Sequence, residues 1–172
     1  RSTLSSSSAA SDVYKRQIEN KIINRAELIK LKGILAKPIV FTNGVFDLIH
    51  RGHVTYLEES RKMGKTLLVA LNSDKSTKKL NKGQDRPINT LEDRLSIIAA
   101  LESVSYVTWF ENETPLSVIR VCKPDILVKG GDYKLEDIAG YQTVTENGGQ
   151  VKTLSFYDGY SSSNYINKIK KP

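Results

Sequence analysis

Phe41-Thr42-Asn43-Gly44-Val45-Phe46-Asp47-Leu48-Ile49-His50-Arg51-Gly52-His53 is the stretch on which the reading of this chain turns. It leaves a β-rich run, Pro38 to Thr42, passes a turn-prone Asn43-Gly44 and enters an amphipathic segment through two histidines. These are the only histidines among 172 residues, and both fall at an expected helix N-terminus. Such an end presents unpaired N–H groups and the positive pole of the helix dipole, so it favours anions. Gly44 is expected to let backbone approach a ligand closely or take a positive φ, and Gly52 brings the same freedom between the histidines. His50 and His53, at i and i+3, share a helix face and are expected to point at one phosphate. Imidazole donates a hydrogen bond when neutral and adds charge when protonated, which suits a phosphorus centre gathering negative charge. The plainer alternatives are a pair that caps a helix or holds a metal. Zinc is the weaker of these, because Cys122 is the single cysteine and no C-x-x-C or H-E-x-x-H occurs.

Working outward, strand-like and helix-like segments alternate with short connections. Asn24 and Glu27 form a capping-box start for a helix carrying Leu28, Leu31 and Leu35. Thr66 to Leu71 is a continuous apolar run, as expected of a strand buried on both faces. Thr90 with Asp93 caps a helix bearing Leu91, Leu95 and Ile98, and Ser105 to Phe110 reads as the third strand. Thr114-Pro115 opens another helix, with Pro in its first position, followed by a short strand from Ile126 to Lys129. A helix from Ile138 to Asn147, a last strand from Val151 to Phe156 and a closing helix from Ser161 to Lys171 complete the pattern. The fold class is therefore α/β, a doubly wound parallel sheet of Rossmann-like form. Ligands in such sheets bind beyond the carboxyl ends of the strands. Asn43-Gly44, Asn72-Ser73-Asp74, Lys129-Gly130-Gly131-Asp132 and Gly159 to Asn164 each follow a strand, so they are expected to converge on one cleft.

Residues 18–172 are read as one domain, since 39% hydrophobic content is enough for a single core. The Ser/Ala-rich Arg1–Gln17 lacks the apolar stretch of a signal peptide and is expected to be a tail outside the fold, processed, truncated or foreign to it. No window approaches the roughly 18–20 apolar residues of a membrane span. One cysteine cannot form an internal disulfide, so a reducing cytoplasm is the expected setting, with Cys122 a small buried hydrophobe. The net charge of +7 sits mostly in the ends: Arg1–Gln17 carry +2 and the last five residues +3, which leaves +2 for the body. Without aromatic-basic interleaving, that distribution argues against a nucleic-acid partner. One basic cluster remains, Lys75, Lys78, Lys79, Lys82 and Arg86 against Asp74 and Asp85. It reads equally as a solvated surface or as a mobile loop closing over a polyphosphate.

The segment resembles the H-x-G-H signature of the nucleotidyltransferase superfamily that includes the cytidylyltransferases and pantetheine-phosphate adenylyltransferase. A narrower likeness, to the adenylyltransferases of ADP-heptose synthesis, is carried by FTNGVFDLIHRGHVTYL, LLVALNSDKSTKKL, RPINTLEDRLSIIAALESV, PDILVKGGDYKLEDIAG and DGYSSSNYINKI. These tile most of Ile39 to Lys170, about three quarters of the chain. The resemblance implies a catalytic set of His50, His53 and Lys79, with Lys78 and Arg86 on the triphosphate and Mg²⁺ accompanying ATP. It also implies Thr42, Asn43, Gly44, Phe46, Gly52, Gly130, Ser161, Ser162 and Ser163 around the nucleotide. Asp47, Asn72, Asp74 and Asp132 are expected on the acceptor side. Asp47 is equally well a turn residue bonding its own backbone. Lys129 ends a buried strand, where a cation is costly unless it meets an anion, so it is expected to touch ligand. The serines double as helix caps, which use the same geometry as phosphate binding.

Where the superfamily carries an R-T-E-G-I-S-T-type motif, this chain has Phe156 in place of the arginine, a departure that counts against a cytidylyltransferase. Trp109, Tyr106 and Phe110 are read as core, while Tyr133, Tyr141, Tyr157 and Tyr160 hold the candidates for stacking on a purine. The partners expected are small molecules, ATP and a sugar 1-phosphate, with no membrane and with assembly into a homo-oligomer, dimer or higher. Three other readings stay open: a glycerol-3-phosphate cytidylyltransferase, a nucleic-acid-binding module using the basic tails, and a nucleotide sensor that binds ATP without releasing pyrophosphate.

Overall fold

The periodicities above become five strands and their covering helices. The structure, a computed structural model, describes residues 17–80, 86–155 and 162–170, apart from the side chains of Ser163, Asn164, Asn167 and Lys170. Of the tail, only Gln17 is among the described residues; Lys82, Phe156, Tyr157, Tyr160 and Ser161 lie outside them.

Helix α1, Arg25–Leu31, starts at the expected capping box: the Asn24 side chain accepts from the Glu27 N–H, and the Glu27 carboxylate accepts from the Asn24 N–H. Strands β1 (Ile39–Gly44), β2 (Thr66–Asn72), β3 (Tyr106–Phe110), β4 (Ile126–Gly130) and β5 (Gln150–Leu154) form one sheet in the order β3-β2-β1-β4-β5. Every pairing is parallel. Successive strand residues face opposite ways, and the core divides accordingly. Ile39, Phe41, Leu68, Ala70 and Leu127 join one cluster with Leu28 of α1, Val118 and Ile119 of α5 (Leu116–Cys122) and Val144 of α6 (Tyr141–Glu146). Val40, Leu67, Val69, Leu71 and Val128 join the other, with Tyr56 and Leu57 of α2 (Arg51–Lys62) and Leu95 and Ile98 of α4 (Leu91–Ala99). Both faces of the sheet are thus covered, and the expected α/β doubly wound architecture is what forms.

The chain winds outward from β1 through β2 to β3, then returns to lay β4 on the other side of β1. The order reverses between β1 and β4, and a crevice opens there because the loops leaving the two strands diverge. On the far edge, the 21–23 segment extends β3: the Ile23 N–H donates to the Val107 carbonyl, and the Val107 N–H to the Lys21 carbonyl.

Several segments differ from the sequence-based expectation: Pro115 is the N-cap of α5 and not its first residue, and the helix expected from Ile138 to Asn147 runs from Tyr141 to Glu146. Asn43 and Gly44 end β1 instead of turning, because they pair in register with Ala70 and Leu71 of β2. The basic run after β2 is, from Asp74 to Lys79, a short helix, α3. Ser73 caps it by accepting from the Ser76 N–H, with Asp74 in the first turn and Lys78 and Lys79 in the last, each charge matched to its end of the helix dipole. No helix among the described residues is long and apolar enough to cross a membrane.

Candidate active site

His50 is the N-cap of α2, with extended backbone at φ −141°, and His53 is the third residue of the helix. The His53 and Val54 N–H groups both donate to the His50 carbonyl, at 2.9 and 3.3 Å. This first turn brings the imidazoles face to face, ring centroids 3.8 Å apart and planes inclined by 19°. The Phe46 ring lies 5.2 Å from His53 on one side. Tyr165, on the C-terminal helix α7 (Ser162–Lys170), lies 5.9 Å from His50 on the other, its plane within 15°. Burial holds the His50 pKa below its ordinary 6.5, which keeps the ring neutral near pH 7, one nitrogen a donor and the other an acceptor.

The backbone freedom expected of Gly44 falls elsewhere. Phe46 is the residue in the left-handed region, at φ 49°, a conformation that costs a bulky residue energy and persists only where its surroundings impose it. Gly44 makes room for it, since a Cβ there would sit 2.9 Å from Phe46 Cε2. Gly52 has helical backbone and is buried inside α2.

Behind the histidine loop lies a buried polar lattice. The Asp47 carboxylate accepts from the backbone N–H groups of Ile88 and Asn89 at 2.9–3.0 Å and pairs with Arg86 Nε at 2.6 Å. The Asn89 amide in turn donates to the Asp47 carbonyl. Arg94, on α4, has a wholly buried side chain. Its guanidinium donates to the carbonyls of Val45, Asn72 and Asn89 and to Asp74 Oδ1, all within 2.7–3.1 Å. One side chain thereby joins the loop after β1, the end of β2, the start of α3 and the 86–90 segment.

These contacts redistribute several expected site residues. Asp47 and Arg86 form a buried ion pair, so neither projects into open space. Asp74 serves Arg94, and Asn72 donates from Nδ2 to Ser76 Oγ. Thr42 is buried, its hydroxyl 2.6 Å from the Tyr56 hydroxyl, which donates to the Val128 carbonyl beneath the crevice. Lys78 and Lys79 are exposed on the last turn of α3. Gly130 is buried at the end of β4 and Asp132 is exposed beyond it. Ser162 Oγ donates to the Leu48 carbonyl, docking α7 on the histidine loop, and Ser163's side chain is outside the described residues. Among the described residues no group of three His, Cys, Asp or Glu gathers as a cation site.

At the crevice between β1 and β4, Lys129 Nζ reaches Asn43, 3.3 Å from its carbonyl and 3.4 Å from Oδ1. A cavity of about 310 Å³ opens beside it, on the α5/α6 side of the sheet, with Asn43, Gly44, Lys129 and Asn72 at the strand ends. A wider hollow of about 900 Å³ lies away from the histidines, along α4, and has Ile18, Leu91 and Trp109 in its wall.

Two participants escaped the sequence reading. Arg94 left a legible trace: it falls between Leu91, Leu95 and Ile98, on the apolar face of α4, where an arginine requires buried partners. Tyr165 left none, since an aromatic on a terminal helix does not announce which ring it meets.

A strand followed by a stacked H-x-G-H pair at the next helix start coincides with a family-model match, cytidylyltransferase-like, over residues 41–168. The chain belongs to the cytidylyltransferase-like family. Curated relatives agree. The bifunctional protein HldE of Proteus mirabilis is 51% identical over 153 residues, 89% of this chain and 31% of that one. The bifunctional protein HldE of Citrobacter koseri is 54% identical over 135 residues, 78% of this chain and 28% of that one. The chain therefore spans under a third of the length of these relatives. Among solved structures, a lipopolysaccharide core biosynthesis protein from Thermoplasma volcanium is 31% identical with a TM-score of 0.57, covering 72% of this chain and 98% of the other. A pantoate-beta-alanine ligase from Francisella tularensis has a TM-score of 0.59 at 14% identity, covering 84% of this chain and 72% of the other, and shares the fold alone.

Proposed function

We propose that this chain is an adenylyltransferase of ADP-heptose synthesis, converting D-glycero-β-D-manno-heptose 1-phosphate and ATP to ADP-heptose and pyrophosphate. The observation that carries it is the stacked His50–His53 pair at an anion-favouring helix end beside the β1–β4 crevice. Support for the heptose branch comes from the five stretches quoted above, from the HldE relatives at 51–54% identity and from the lipopolysaccharide core biosynthesis protein of Thermoplasma volcanium.

A sugar phosphate has a second pKa of about 6, so its attacking oxygen is already ionised near neutrality and no general base is required. That oxygen attacks the α-phosphorus in line, the bond to the α–β bridging oxygen breaks, and pyrophosphate leaves. Catalysis is then positioning plus charge stabilisation. His50 and His53 are assigned to donate hydrogen bonds to the α-phosphate and leaving oxygen as charge builds. Lys78 and Lys79 are assigned to the β- and γ-phosphates. Both Asp47 oxygens are engaged, so this chain's donors suit an Mg²⁺ that arrives held by the triphosphate, where it would neutralise phosphate charge.

The test is pyrophosphate release across a panel of nucleoside triphosphates and sugar 1-phosphates, with ATP and the heptose 1-phosphate expected to give the highest kcat/KM. Preference for CTP, the reading that the family's name favours, overturns the choice of nucleotide. ATP binding without pyrophosphate release from any acceptor overturns the enzyme. We take the reaction to occur in the cytoplasm and the protein to assemble as a homo-oligomer, which sedimentation of the purified protein tests.

A further inference from the structure

We infer that Glu113 and Asp137 select the acceptor, binding the hydroxyls of the sugar while its phosphate is turned toward Lys129 and the histidine pair. This rests on the adenylyltransferase reading and names the part of the site that reading leaves unassigned. The two sides of the sheet divide the labour. The histidines stand on α2, whose Tyr56 and Leu57 pack on one face, whereas the cavity of about 310 Å³ opens on the other, against Pro115 and Ile138 beside α5 and α6. The strand ends at Asn43 and Lys129 form the crest between them.

The cavity is polarised. Its crest carries the Lys129 cation, and its outer wall carries two carboxylates, Glu113 from the loop after β3 and Asp137 from the one-turn helix Leu135–Asp137. Tyr133, half exposed, stands in the same wall. A phosphate dianion is repelled by the carboxylates and drawn to the crest, so a sugar phosphate enters in one orientation only. Sugar hydroxyls are donors, and hydrogen bonds from them to carboxylates are charge-assisted, stronger than neutral ones. The apolar C–H face of a pyranose matches the Tyr133 ring. The size agrees: the cavity is at the small end of ligand pockets, about 300–1,000 Å³, enough for a monosaccharide phosphate beside a nucleotide held elsewhere. Asn72 lines the same cavity from the end of β2, whereas Asp47 and Asp74 are bound to Arg86 and Arg94.

Glu113→Gln and Asp137→Asn, singly and together, test the inference in the full chain. Both residues are exposed, so melting temperature is expected to stay at the wild-type value. Each single variant is expected to raise KM for the heptose 1-phosphate about 10-fold, the effect of losing one charge-assisted hydrogen bond. KM for ATP and kcat at saturating acceptor should stay within about 2-fold. The double variant should also lose the wild-type preference for the heptose over hexose 1-phosphates. Unchanged acceptor KM and unchanged acceptor ranking in the double variant overturn the inference while leaving the adenylyltransferase reading standing. Wild-type protein that forms no ADP-sugar from any sugar 1-phosphate overturns the parent reading instead. A rise in KM for ATP equal to that for the acceptor overturns the assignment to the acceptor side.

Discussion

The carboxyl end of the sheet holds two polar clusters that differ in what surrounds them. In the lattice of Asp47, Arg86 and Arg94, both Asp47 oxygens accept hydrogen bonds, and the Arg94 guanidinium serves four acceptors from four chain segments. Around His50 and His53 the rings meet mostly other rings, at the mouth of a crevice. The first arrangement holds shape, because buried charges that meet one another and backbone groups have little left for a ligand. The second brings two titratable rings together on the first turn of one helix. Charge near a cleft is therefore a poor guide to ligand contact unless its partners are counted.

Removing the hub of the Asp47–Arg86–Arg94 cluster should cost most. Arg94→Met leaves three carbonyls and Asp74 without their donor, and a loss of about 3–5 kcal/mol in urea-denaturation stability is expected. Wild-type denaturation by this variant would dissolve the contrast between the clusters. The histidines should answer oppositely. His50→Ala or His53→Ala is expected to lower kcat on the order of 10²–10³-fold, while denaturation stability changes far less than in the Arg94 variant. Near-normal turnover in both single variants removes the catalytic role.

The contrast sharpens at Tyr165, which reaches the open cluster from α7. Tyr165→Ala should cost about 0.5–1.5 kcal/mol of aromatic contact, a roughly 2–10-fold fall in kcat, whereas Tyr165→Phe keeps the stack and the rate. Equal losses in both would show that the hydroxyl, not the ring, matters. The smallest effect concerns pH. His50 has a folded pKa below its unfolded 6.5, so the unfolded chain takes up the proton first as pH falls. The stability tied to the neutral ring is present above 6.5 and is lost as pH drops through the folded value. His50→Asn, which cannot titrate, should show a shallower decline in urea midpoint between pH 7.5 and 5.

Much of this was legible in the chain. The Asn24–Glu27 capping box, the Thr90 cap, the apolar run at Leu67–Leu71 and the His50–His53 spacing all have causes within a few residues, and each forms as read. Errors came where a local signal met a distant partner. Asn43-Gly44 has turn chemistry, yet pairing with Ala70 and Leu71 keeps it in the strand. Gly44 was credited with a positive φ that belongs to Phe46, because the need for the glycine lies in the space its neighbour's ring occupies. The lysines of α3 read equally as a solvated surface or a mobile loop, because a six-residue helix is too short for periodicity to reveal.

Periodicity and caps are short-range properties, so residue order alone was enough to set most of the strands and helices, and the quoted stretches carried the family resemblance. Which charges hold the scaffold and which face the cleft was another matter. Arg94 draws acceptors from Val45, Asn72, Asp74 and Asn89, and His50 meets Tyr165 from a helix more than 100 residues away. Those choices depend on distances that exist only once the sheet has closed and water has left, when every buried charge must find a partner or stay in the open.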